Sequence, residues 1–252
     1  MRQADGDPRV VCIIEARFAS TRLPGKVLRP ILGEPMLARM IERLSRARTL
    51  DAIVVATSTS RADDAVAEAA ADAGADCFRG SEDDVLGRVV GAARAYDAGV
   101  IAETTGDCPL HDPAIVDKVV ADYLMGGADF VSNIHPYTTP RGTDVRVFSA
   151  DALAEIEQTS ADPADREHVS LYFWEHPEKY RLRNVATELS PLAVQLRLTV
   201  DMQPDLDLVT AIYEELYPQN PEFSLADVLA LVERKPQLMA INAQVQQKAV
   251  RQ

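Results

Sequence analysis

The sequence has few cysteines, no long apolar run and no surplus of basic residues. Its 252 residues include three cysteines, an odd number; they are widely spaced and form no CxxC pair, which argues against a disulfide framework or a zinc site. No stretch approaches the roughly 18 apolar residues of a membrane span. The polar start, MRQADGDPR, lacks the apolar segment of a signal peptide. We therefore expect a soluble, cytoplasmic protein.

Positive charge is also scarce. Asp and Glu total 39 against 26 Lys and Arg, which gives a net charge of −13. An acidic surface repels nucleic acid and anionic membranes, so neither is expected as a partner. If the substrate is itself an anion, the protein needs a local basic site.

Several common motifs are missing as well. Neither GxxxxGK[ST] nor GxGxxG occurs, which argues against a P-loop and against a dinucleotide site. The four histidines are scattered, without the spacing of HExxH, and no Ser-His-Asp arrangement is evident. We therefore expect no covalent intermediate and no obligatory histidine base.

What the sequence does contain is the pattern of an α/β domain. Apolar residues make up 47% of the chain, enough for a sizeable core. The first half alternates predicted strands at 10–15, 52–56, 100–104 and 128–131 with predicted helices at 35–48, 62–73, 83–95 and 113–124. This alternation predicts a Rossmann-like, mostly parallel sheet flanked by helices. Ligands of such sheets bind beyond the carboxyl ends of the strands, here after Glu15 and Thr104.

The second half is less regular, and its boundaries are harder to place. We predict strands at 144–148, 180–185 and 194–200, and helices at 150–158, 165–174, 205–217 and 225–233. The tail after Pro236 is polar and is predicted to be helical or frayed. Because no repeat, low-complexity tract or linker occurs, the chain is interpreted as a single domain over 1–252.

The most informative segment is ARFASTRLPGK at 16–26. The cations Arg17, Arg22 and Lys26 follow a strand end, with the hydroxyl groups of Ser20 and Thr21 between them. Backbone N–H groups of such a loop can bind phosphate oxygens, and arginines add bidentate bonds. The loop is the local basic site that an anionic substrate requires. The alternative is a solvated basic loop without a special role.

Two aspartates follow predicted strands. Asp107 lies in TTGDCPL at 104–110, and Asp201 lies in LTVDMQPDL at 198–206. An aspartate in such a place is often a helix cap, and Asp205 suits that role in the first turn of its helix. Asp112, directly before Pro113, is the better cap for its helix, which leaves Asp107 free for another role.

Together these motifs resemble the family of CMP-Kdo synthetases and acylneuraminate cytidylyltransferases, above all its spore coat polysaccharide biosynthesis branch. VVCIIEARFASTRLPGK resembles the N-terminal signature, GDCP the glycine-aspartate-x-proline element, and TVDMQPDL the C-terminal aspartate motif. The resemblance runs from about Val10 to about Leu216. It implies the nucleotide-diphospho-sugar transferase type of fold with a small dimerisation and acceptor lobe. It also implies Mg²⁺-dependent transfer of CMP from CTP to a small acidic acceptor, with release of pyrophosphate, by a homodimer.

The resemblance also implies roles for individual residues. Backbone around Ala16 and Arg17 would read the cytosine, and Thr105 and Gly106 would contact the nucleotide. The triphosphate would be held by Arg17, Ser20, Thr21, Arg22 and Lys26. Glu15 departs from the family pattern, in which Gln or Pro usually stands at this position.

The metal ion and the chemical step are assigned in the same way. Asp107 and Asp201 would be the Mg²⁺ ligands. Mg²⁺ would neutralise the charge that builds up as pyrophosphate leaves. The residues expected to carry catalysis are Arg17, Arg22, Lys26 and Asp107.

The acceptor is expected near NIHPYTTPRGTD at 133–144 and REH at 166–168. PRGTDV and REHV resemble segments of the spore coat branch, and Arg141 can bind a carboxylate or phosphate in a bidentate manner. The candidate residues are Tyr137, Arg141, Asp144 and His168; a surface turn and a solvated helix face are the alternatives. On this interpretation 8–132 is the nucleotide-binding half, 133–235 the acceptor and dimer half, and 236–252 a tail.

Other functions remain as alternatives. Nucleotide-sugar pyrophosphorylases usually begin with a GxGTRL-type loop, and glycosyltransferases carry a DxD pair, found here only at 205–207 in a late helix. A catalytically inactive nucleotide-binding module should have lost a metal carboxylate or a phosphate-binding cation, but Asp107, Asp201, Arg22 and Lys26 are all present. A nucleotidyltransferase acting on a non-sugar phosphate or phosphonate stays open.

Overall fold

The computed structural model describes residues 6, 8–187 and 189–247, which form an α/β fold. The strands are β1 (Val10–Glu15), β2 (Pro30–Ile31), β3 (Glu34–Pro35), β4 (Ala52–Ser58), β5 (Asp76–Gly80), β6 (Val100–Thr105), β7 (Phe130–Ser132), β8 (Arg146–Ser149) and β9 (Leu182–Asn184). The helices are α1 (Met36–Leu44), α2 (Asp64–Asp72), α3 (Val85–Ala95), α4 (Pro113–Leu124), α5 (Ala150–Thr159), α6 (Pro163–Glu167), α7 (Leu171–Glu175), α8 (Gln203–Leu216) and α9 (Leu225–Arg234).

Seven strands form one sheet in the order β5-β4-β1-β6-β8-β7-β9, and β2 and β3 form a separate hairpin. Neighbours in the large sheet are parallel except where β8 pairs with β6 and β7. The chain extends the sheet from β1 to β4 and β5, and then crosses to β6 on the other side of β1. Ligands bind beyond the carboxyl ends of strands at such a switch point. The predicted fold class, a mostly parallel sheet flanked by helices, is confirmed.

The alternation of side chains along β1 divides the core into two layers. Val10, Cys12 and Ile14 face one layer, with buried residues of α1, α2, α4, α8 and α9. Val11 and Ile13 face the other, with buried residues of α3, α5 and α7. Because both faces of β1 are covered, it is a continuous apolar run, as is usual for a central parallel strand. None of the helices among the described residues has the length and apolar composition of a bilayer span.

Asp112 connects two helices of the first layer, and it is the predicted cap of α4. Its Oδ1 accepts a hydrogen bond from the Ala114 N–H at 2.9 Å. Its Oδ2 accepts one from the Leu225 N–H, at the start of α9, at 2.6 Å. One buried carboxylate thus satisfies donors at the N-termini of α4 and α9.

Asp112→Ala is therefore expected to lower the free energy of unfolding by about 3 kcal/mol. Loss of the cap accounts for about 1 kcal/mol, and the orphaned N–H of Leu225 for about 2 kcal/mol. Urea denaturation measures the change. Asp72→Ala, at an exposed position on α2, is the control and should stay within about 0.5 kcal/mol of the parent protein. An Asp112→Ala effect as small as that of the control would contradict the assigned role.

The predicted strand at 194–200 is wrong. Ala193–Gln195 is a 3₁₀ helix, and the extended residues that follow lie outside the large sheet. Their backbone instead holds two loops of the candidate site, because Leu198 N–H donates to the Arg141 carbonyl at 2.7 Å and Val200 N–H to the Asp107 carbonyl at 2.8 Å.

The predicted helix at 165–174 is two short helices, α6 and α7. The break falls at His168, whose φ of −113° and ψ of 78° are not helical. The strand predicted at 144–148 begins at Arg146 because Asp144 bonds to the preceding turn, where it accepts from Gly142 N–H at 3.2 Å. Strand β5 and the β2–β3 hairpin were not predicted. The other predicted elements are present: β1 and α4 have the predicted bounds, and the rest have shifted ends.

Candidate active site

The basic loop at 16–26 leaves the carboxyl end of β1 and is held by backbone hydrogen bonds of its own and by the side chain of Asp63. Phe18 N–H donates to Asp63 Oδ1 at 2.5 Å, and Gly25 N–H donates to the Phe18 carbonyl at 3.1 Å. Gly25 has φ of +65°, and a Cβ there would lie 2.8 Å from the Phe18 ring, so glycine is required. The closed loop leads directly into a 3₁₀ helix at Lys26–Leu28, which fixes the position of Lys26.

Lys26 lies at the centre of the candidate site. Its Nζ donates to Asp107 Oδ2 at 2.7 Å, to Asp201 Oδ1 at 2.9 Å and to the Val200 carbonyl at 2.9 Å. Asp107 also accepts from Thr105 Oγ1 at 2.6 Å. Lys26, Asp107 and Asp201, which come from three separate sequence motifs, therefore meet at the ammonium group of Lys26.

Asp201 is held by two further cations. Its Oδ1 accepts from Arg22 Nη2 at 2.7 Å, and its Oδ2 accepts from Arg197 Nη2 at 2.6 Å. Asp205, in contrast, is a cap: its Oδ2 accepts from the N–H groups of Asp201 and Met202, each at 3.0 Å. The side chain of Asp201 thus faces the ionic cluster, whereas that of Asp205 stabilises the start of α8.

Sequence reasoning missed Arg197. It pairs with Asp201 and also with Asp205, whose Oδ1 lies 3.1 Å from its Nε. The sequence did contain a signal for it. Arg197 stands between Leu196 and Leu198, which are both buried, and in an extended segment this alternation directs the guanidinium to the side opposite the apolar side chains.

The electrostatics of the cluster favour the charged forms. Burial raises the pKa of Asp107, but the charge and hydrogen bond of Lys26 and the Thr105 hydroxyl outweigh it, and the pKa falls to about 2. Burial lowers the pKa of Lys26, but Asp107 and Asp201 raise it above its usual value. Both groups are therefore ionised at neutral pH.

Two glycines allow the surrounding segments to approach closely. Gly106 N–H donates to the Glu15 carbonyl at 2.9 Å, and a Cβ at Gly106 would lie 2.9 Å from that of Ala16. Gly142 has φ of +97°, and a Cβ there would lie 2.3 Å from the Thr199 nitrogen. Larger residues would therefore separate the loop after β6 from that after β1, and residue 142 from the segment that carries Asp201.

The other predicted phosphate ligands lie on the outer part of the basic loop. Arg17 Nη1 donates to the Glu82 carbonyl at 3.2 Å, and Ser20 Oγ accepts from the Leu23 N–H at 3.4 Å. Thr21 is exposed. Within the described residues, none of these three side chains hydrogen-bonds to the aspartates that surround Lys26.

Three of the four predicted acceptor residues lie together. Tyr137 Oη donates to Asp144 Oδ2 at 2.9 Å, and the Arg141 guanidinium lies over the Tyr137 ring, 4.3 Å from its centroid. His168 ends α6, and in the described part of the chain its ring makes no hydrogen bond or ion pair with these three. Arg146, which was not predicted, also contacts Asp144, with 3.4 Å between Nη2 and Oδ2.

The donor set around Lys26 fits a divalent cation. One oxygen each from Asp107 and Asp201 already converges on a single positive group. Among the described residues there is no cluster of three or more His, Cys, Asp or Glu that could hold a metal ion. Mg²⁺ does not require one, since it is usually held by one or two carboxylates together with substrate phosphates and water.

A parallel sheet whose switch point combines a cationic loop with paired carboxylates is the architecture of a nucleotide-dependent transferase. The cytidylyltransferase family model matches residues 11–239. The chain therefore belongs to the cytidylyltransferase family and is a CTP-dependent nucleotidyltransferase.

Individual relatives agree with this assignment. The spore coat polysaccharide biosynthesis protein SpsF of Bacillus subtilis is 33% identical over 232 residues, which cover 90% of this chain and 95% of SpsF. The 3-deoxy-manno-octulosonate cytidylyltransferase of Geobacter metallireducens is 31% identical over 193 residues, which cover 66% of this chain and 74% of that protein. A solved cytidylyltransferase structure from Leptospira borgpetersenii has a TM-score of 0.88 and 31% identity, covering 96% of this chain and all of that one.

Proposed function

We propose that the protein transfers CMP from CTP to a small acidic acceptor, with Mg²⁺ as cofactor and pyrophosphate as the second product. The observation that carries this proposal is the contact of Lys26 with both Asp107 and Asp201 beside the basic loop. Anion-binding cations and metal-binding carboxylates are then in one place, as nucleotidyl transfer requires.

In this reaction an acceptor oxygen attacks the α-phosphorus of CTP, and the bond to pyrophosphate breaks. Lys26 and Arg22, which contact carboxylates in the structure, exchange these contacts for triphosphate oxygens. Asp107 and Asp201 would then hold Mg²⁺, which supplies positive charge to the phosphoryl and leaving oxygens. Arg17, Ser20 and Thr21 bind the triphosphate from the outer part of the loop.

The cytosine is assigned to the carboxyl ends of β1 and β6. Ala16 and Arg17 follow β1, and Thr105 and Gly106 lie at the end of β6; these two ends are joined by the bond from Gly106 N–H to the Glu15 carbonyl. Backbone donors and acceptors at fixed positions can distinguish one base from another by its hydrogen-bonding edge. A Cβ at Gly106 would lie 2.9 Å from that of Ala16, so a larger residue there would separate the two strand ends.

The acceptor is assigned to Tyr137, Arg141 and Asp144. Arg141 is exposed and offers a guanidinium to a carboxylate or phosphate, while Asp144 can bind acceptor hydroxyl groups. The relative from Geobacter metallireducens is named for 3-deoxy-manno-octulosonate, which is a sugar acid, and this supports an acidic acceptor here. Acceptor binding by His168, cytoplasmic localisation and a homodimer stay predictions; sedimentation of the full chain tests the homodimer.

Arg22→Ala is expected to weaken CTP binding by about 1.5–3 kcal/mol, the range for a charge-assisted hydrogen bond. The dissociation constant rises roughly 10- to 150-fold on this basis. Isothermal titration calorimetry with CTP and Mg²⁺ measures the change. Arg61→Ala, another exposed arginine outside the basic loop, is the control. Equal CTP affinities for the two variants would remove Arg22 from the site.

The proposed function is tested by pyrophosphate release from CTP with Mg²⁺, in the presence of a panel of sugar acids, phosphorylated compounds and phosphonates. Parallel reactions contain ATP, GTP or UTP. Release that requires both CTP and one acceptor supports the proposal and identifies the acceptor class. CTP binding without release for any acceptor would favour a nucleotide-binding module.

A further inference from the structure

A buried charged network lies below the proposed acceptor residues, and none of the steps above uses it. It begins with Glu15 at the end of β1 and Glu103 in β6. In the parallel ladder Ile13 pairs with Glu103 and Glu15 with Thr105, so Glu15 and Glu103 project from the same face of adjacent strands. That face is the layer of Val11, Ile13 and α3.

This register makes the two carboxyl groups neighbours. Glu15 Oε1 and Glu103 Oε2 are both buried, and neither has a hydrogen-bond partner among the described residues. Two carboxylates cannot bond to each other, because both are acceptors; a carboxyl group that carries a proton can donate to its neighbour. One proton on the pair would therefore give the two orphaned carboxyl groups a partner in each other.

The surrounding charges also favour one proton. Arg146 Nη1 lies 3.8 Å from Glu103 Oε1, and its Nη2 lies 3.4 Å from Asp144 Oδ2. Arg88, from α3, is the other cation beside Glu15. Glu103 and Asp144 thus each lie within salt-bridge distance of Arg146, whereas Glu15 has no salt bridge among the described residues. A partly buried carboxyl group without a paired cation is stabilised by keeping its proton.

The network ends in the acceptor loop, which we define as residues 133–144. Asp144, held by Arg146, accepts hydrogen bonds from Tyr137 Oη and from Gly142 N–H. Tyr137 in turn lies beneath the Arg141 guanidinium. The orientation of the two proposed acceptor ligands thus depends on where Arg146 points, and this depends on Glu103.

We propose that Glu15 keeps its proton and donates a hydrogen bond to Glu103, and that this pair positions the acceptor loop by keeping Arg146 against Asp144. Loss of the proton leaves two negative charges beside each other. Arg146 is then drawn towards the pair and away from Asp144, and Tyr137 and Arg141 lose their fixed orientation. Glu15 and Glu103 are positioning residues for acceptor binding, which rests on the proposed function.

The titration has a definite direction. Burial and the neighbouring Glu103 raise the pKa of Glu15 well above its usual 4.5. The charged groups that face it are Glu103 from β6, Arg88 from α3 and Arg146 from β8, while β4, its other neighbour in the sheet, has no titratable side chain. Because the folded-state pKa is raised, the stabilising form is present below pH 4.5 and is lost as pH rises through the raised pKa. Acceptor binding should therefore also weaken as the pH rises.

Trp174 is a built-in reporter of the acceptor loop. It is the sole tryptophan of the sequence, and its ring lies 4.8 Å from that of His135, which belongs to this loop. Burial and nearby Arg146 lower the pKa of His135 below 6.5. His135 therefore titrates at a lower pH than an ordinary histidine. The fluorescence of Trp174 therefore follows the loop without substrate.

The test is a pH titration of Trp174 fluorescence in the full chain, from about pH 5 to about pH 9, the range within which a buried glutamate titrates. The parent protein and the Glu68→Gln control, altered at an exposed position on α2, should share a transition that Glu15→Gln lacks. The amide of glutamine still donates to Glu103 but cannot ionise. A Glu15→Gln curve that matches the parent curve, or no transition in the parent protein, overturns the inference.

A second measurement is the pH dependence of KM for turnover of 3-deoxy-manno-octulosonate with CTP. The KM for the sugar acid should rise at least about tenfold with pH in the parent protein, the cost of one charge-assisted contact, and stay flat in Glu15→Gln; the KM for CTP should be equal in both. Equal pH profiles of the sugar-acid KM would overturn the inference. If this sugar acid is not turned over, the proposed substrate class is affected, and the fluorescence curves still decide the inference.

Discussion

Asp107→Asn is expected to lower the rate constant of pyrophosphate release by about a hundred- to a thousandfold, the usual loss when one charge-stabilising group is removed. The Asp107 carboxylate lies in the loop that follows β6 and accepts hydrogen bonds from Lys26 and Thr105. Asparagine has nearly the same shape and can still accept from the Thr105 hydroxyl, but it carries no charge for a divalent cation. The loss should appear in kcat. The melting temperature should fall only moderately, because the charged pairing with Lys26 is lost while the hydrogen bond from Thr105 remains.

The measurement is kcat across a range of Mg²⁺ concentrations, together with the melting temperature. A higher Mg²⁺ requirement in Asp107→Asn is expected, because one carboxylate ligand is lost. Asp72→Asn, exposed on α2, is the matched control and should behave like the parent protein. A large fall in melting temperature with little change in kcat would instead assign Asp107 a structural role.

Lys26→Met should have the second large effect, a fall in kcat/KM for CTP of at least about a hundredfold. Methionine has a similar length but no charge, so the triphosphate loses a cation. Lys26 Nζ also separates Asp107 from Asp201, at 2.7 and 2.9 Å. Without it the two carboxylates face each other, and Mg²⁺ alone should raise the melting temperature more in the variant than in the parent protein.

Lys235→Met is the matched control, because Lys235 pairs with Glu215 at the surface. This variant should keep the parent response to Mg²⁺. Thermal unfolding with and without Mg²⁺ measures the effect independently of turnover. An equal Mg²⁺ shift in Lys26→Met and the parent protein would contradict a cation site between the two aspartates.

The free energies of unfolding of the parent protein and Lys26→Met should depend differently on pH in the acid range. Asp107 has a folded pKa of about 2, below the unfolded value of about 3.9. Its pairing therefore stabilises the fold above about pH 4 and ceases to do so as pH falls through 2. The stability difference between the parent protein and Lys26→Met should be full at neutral pH and shrink below about pH 4.

The sequence predicted the fold class and most of the cluster. The apolar run of β1, the basic loop and the separate aspartate motifs each carry a local signal, and the rule for parallel sheets places ligands beyond strand ends. The prediction failed for 194–200, because an alternating apolar segment has the same pattern whether its backbone joins a sheet or, as here, bonds to Arg141 and Asp107.

The residues that the sequence did not predict depend on contacts between distant segments of the chain. Glu15 and Glu103 are 88 positions apart, and only the register of β1 on β6 brings them together. Arg146 and Arg197 likewise gain their partners from tertiary structure. His168 shows the opposite case: a motif selected it, but among the described residues its ring makes no hydrogen bond or ion pair with Tyr137, Arg141 or Asp144.

The central claim is that CMP passes from CTP to an acidic acceptor. CTP labelled at the α-phosphate, incubated with Mg²⁺ and 3-deoxy-manno-octulosonate or another acid from the panel, tests it most directly. The account predicts that the label appears in a new acceptor–CMP compound and that the pyrophosphate is unlabelled. Label found only in free CMP, at a rate that is the same with and without the acceptor, would contradict it.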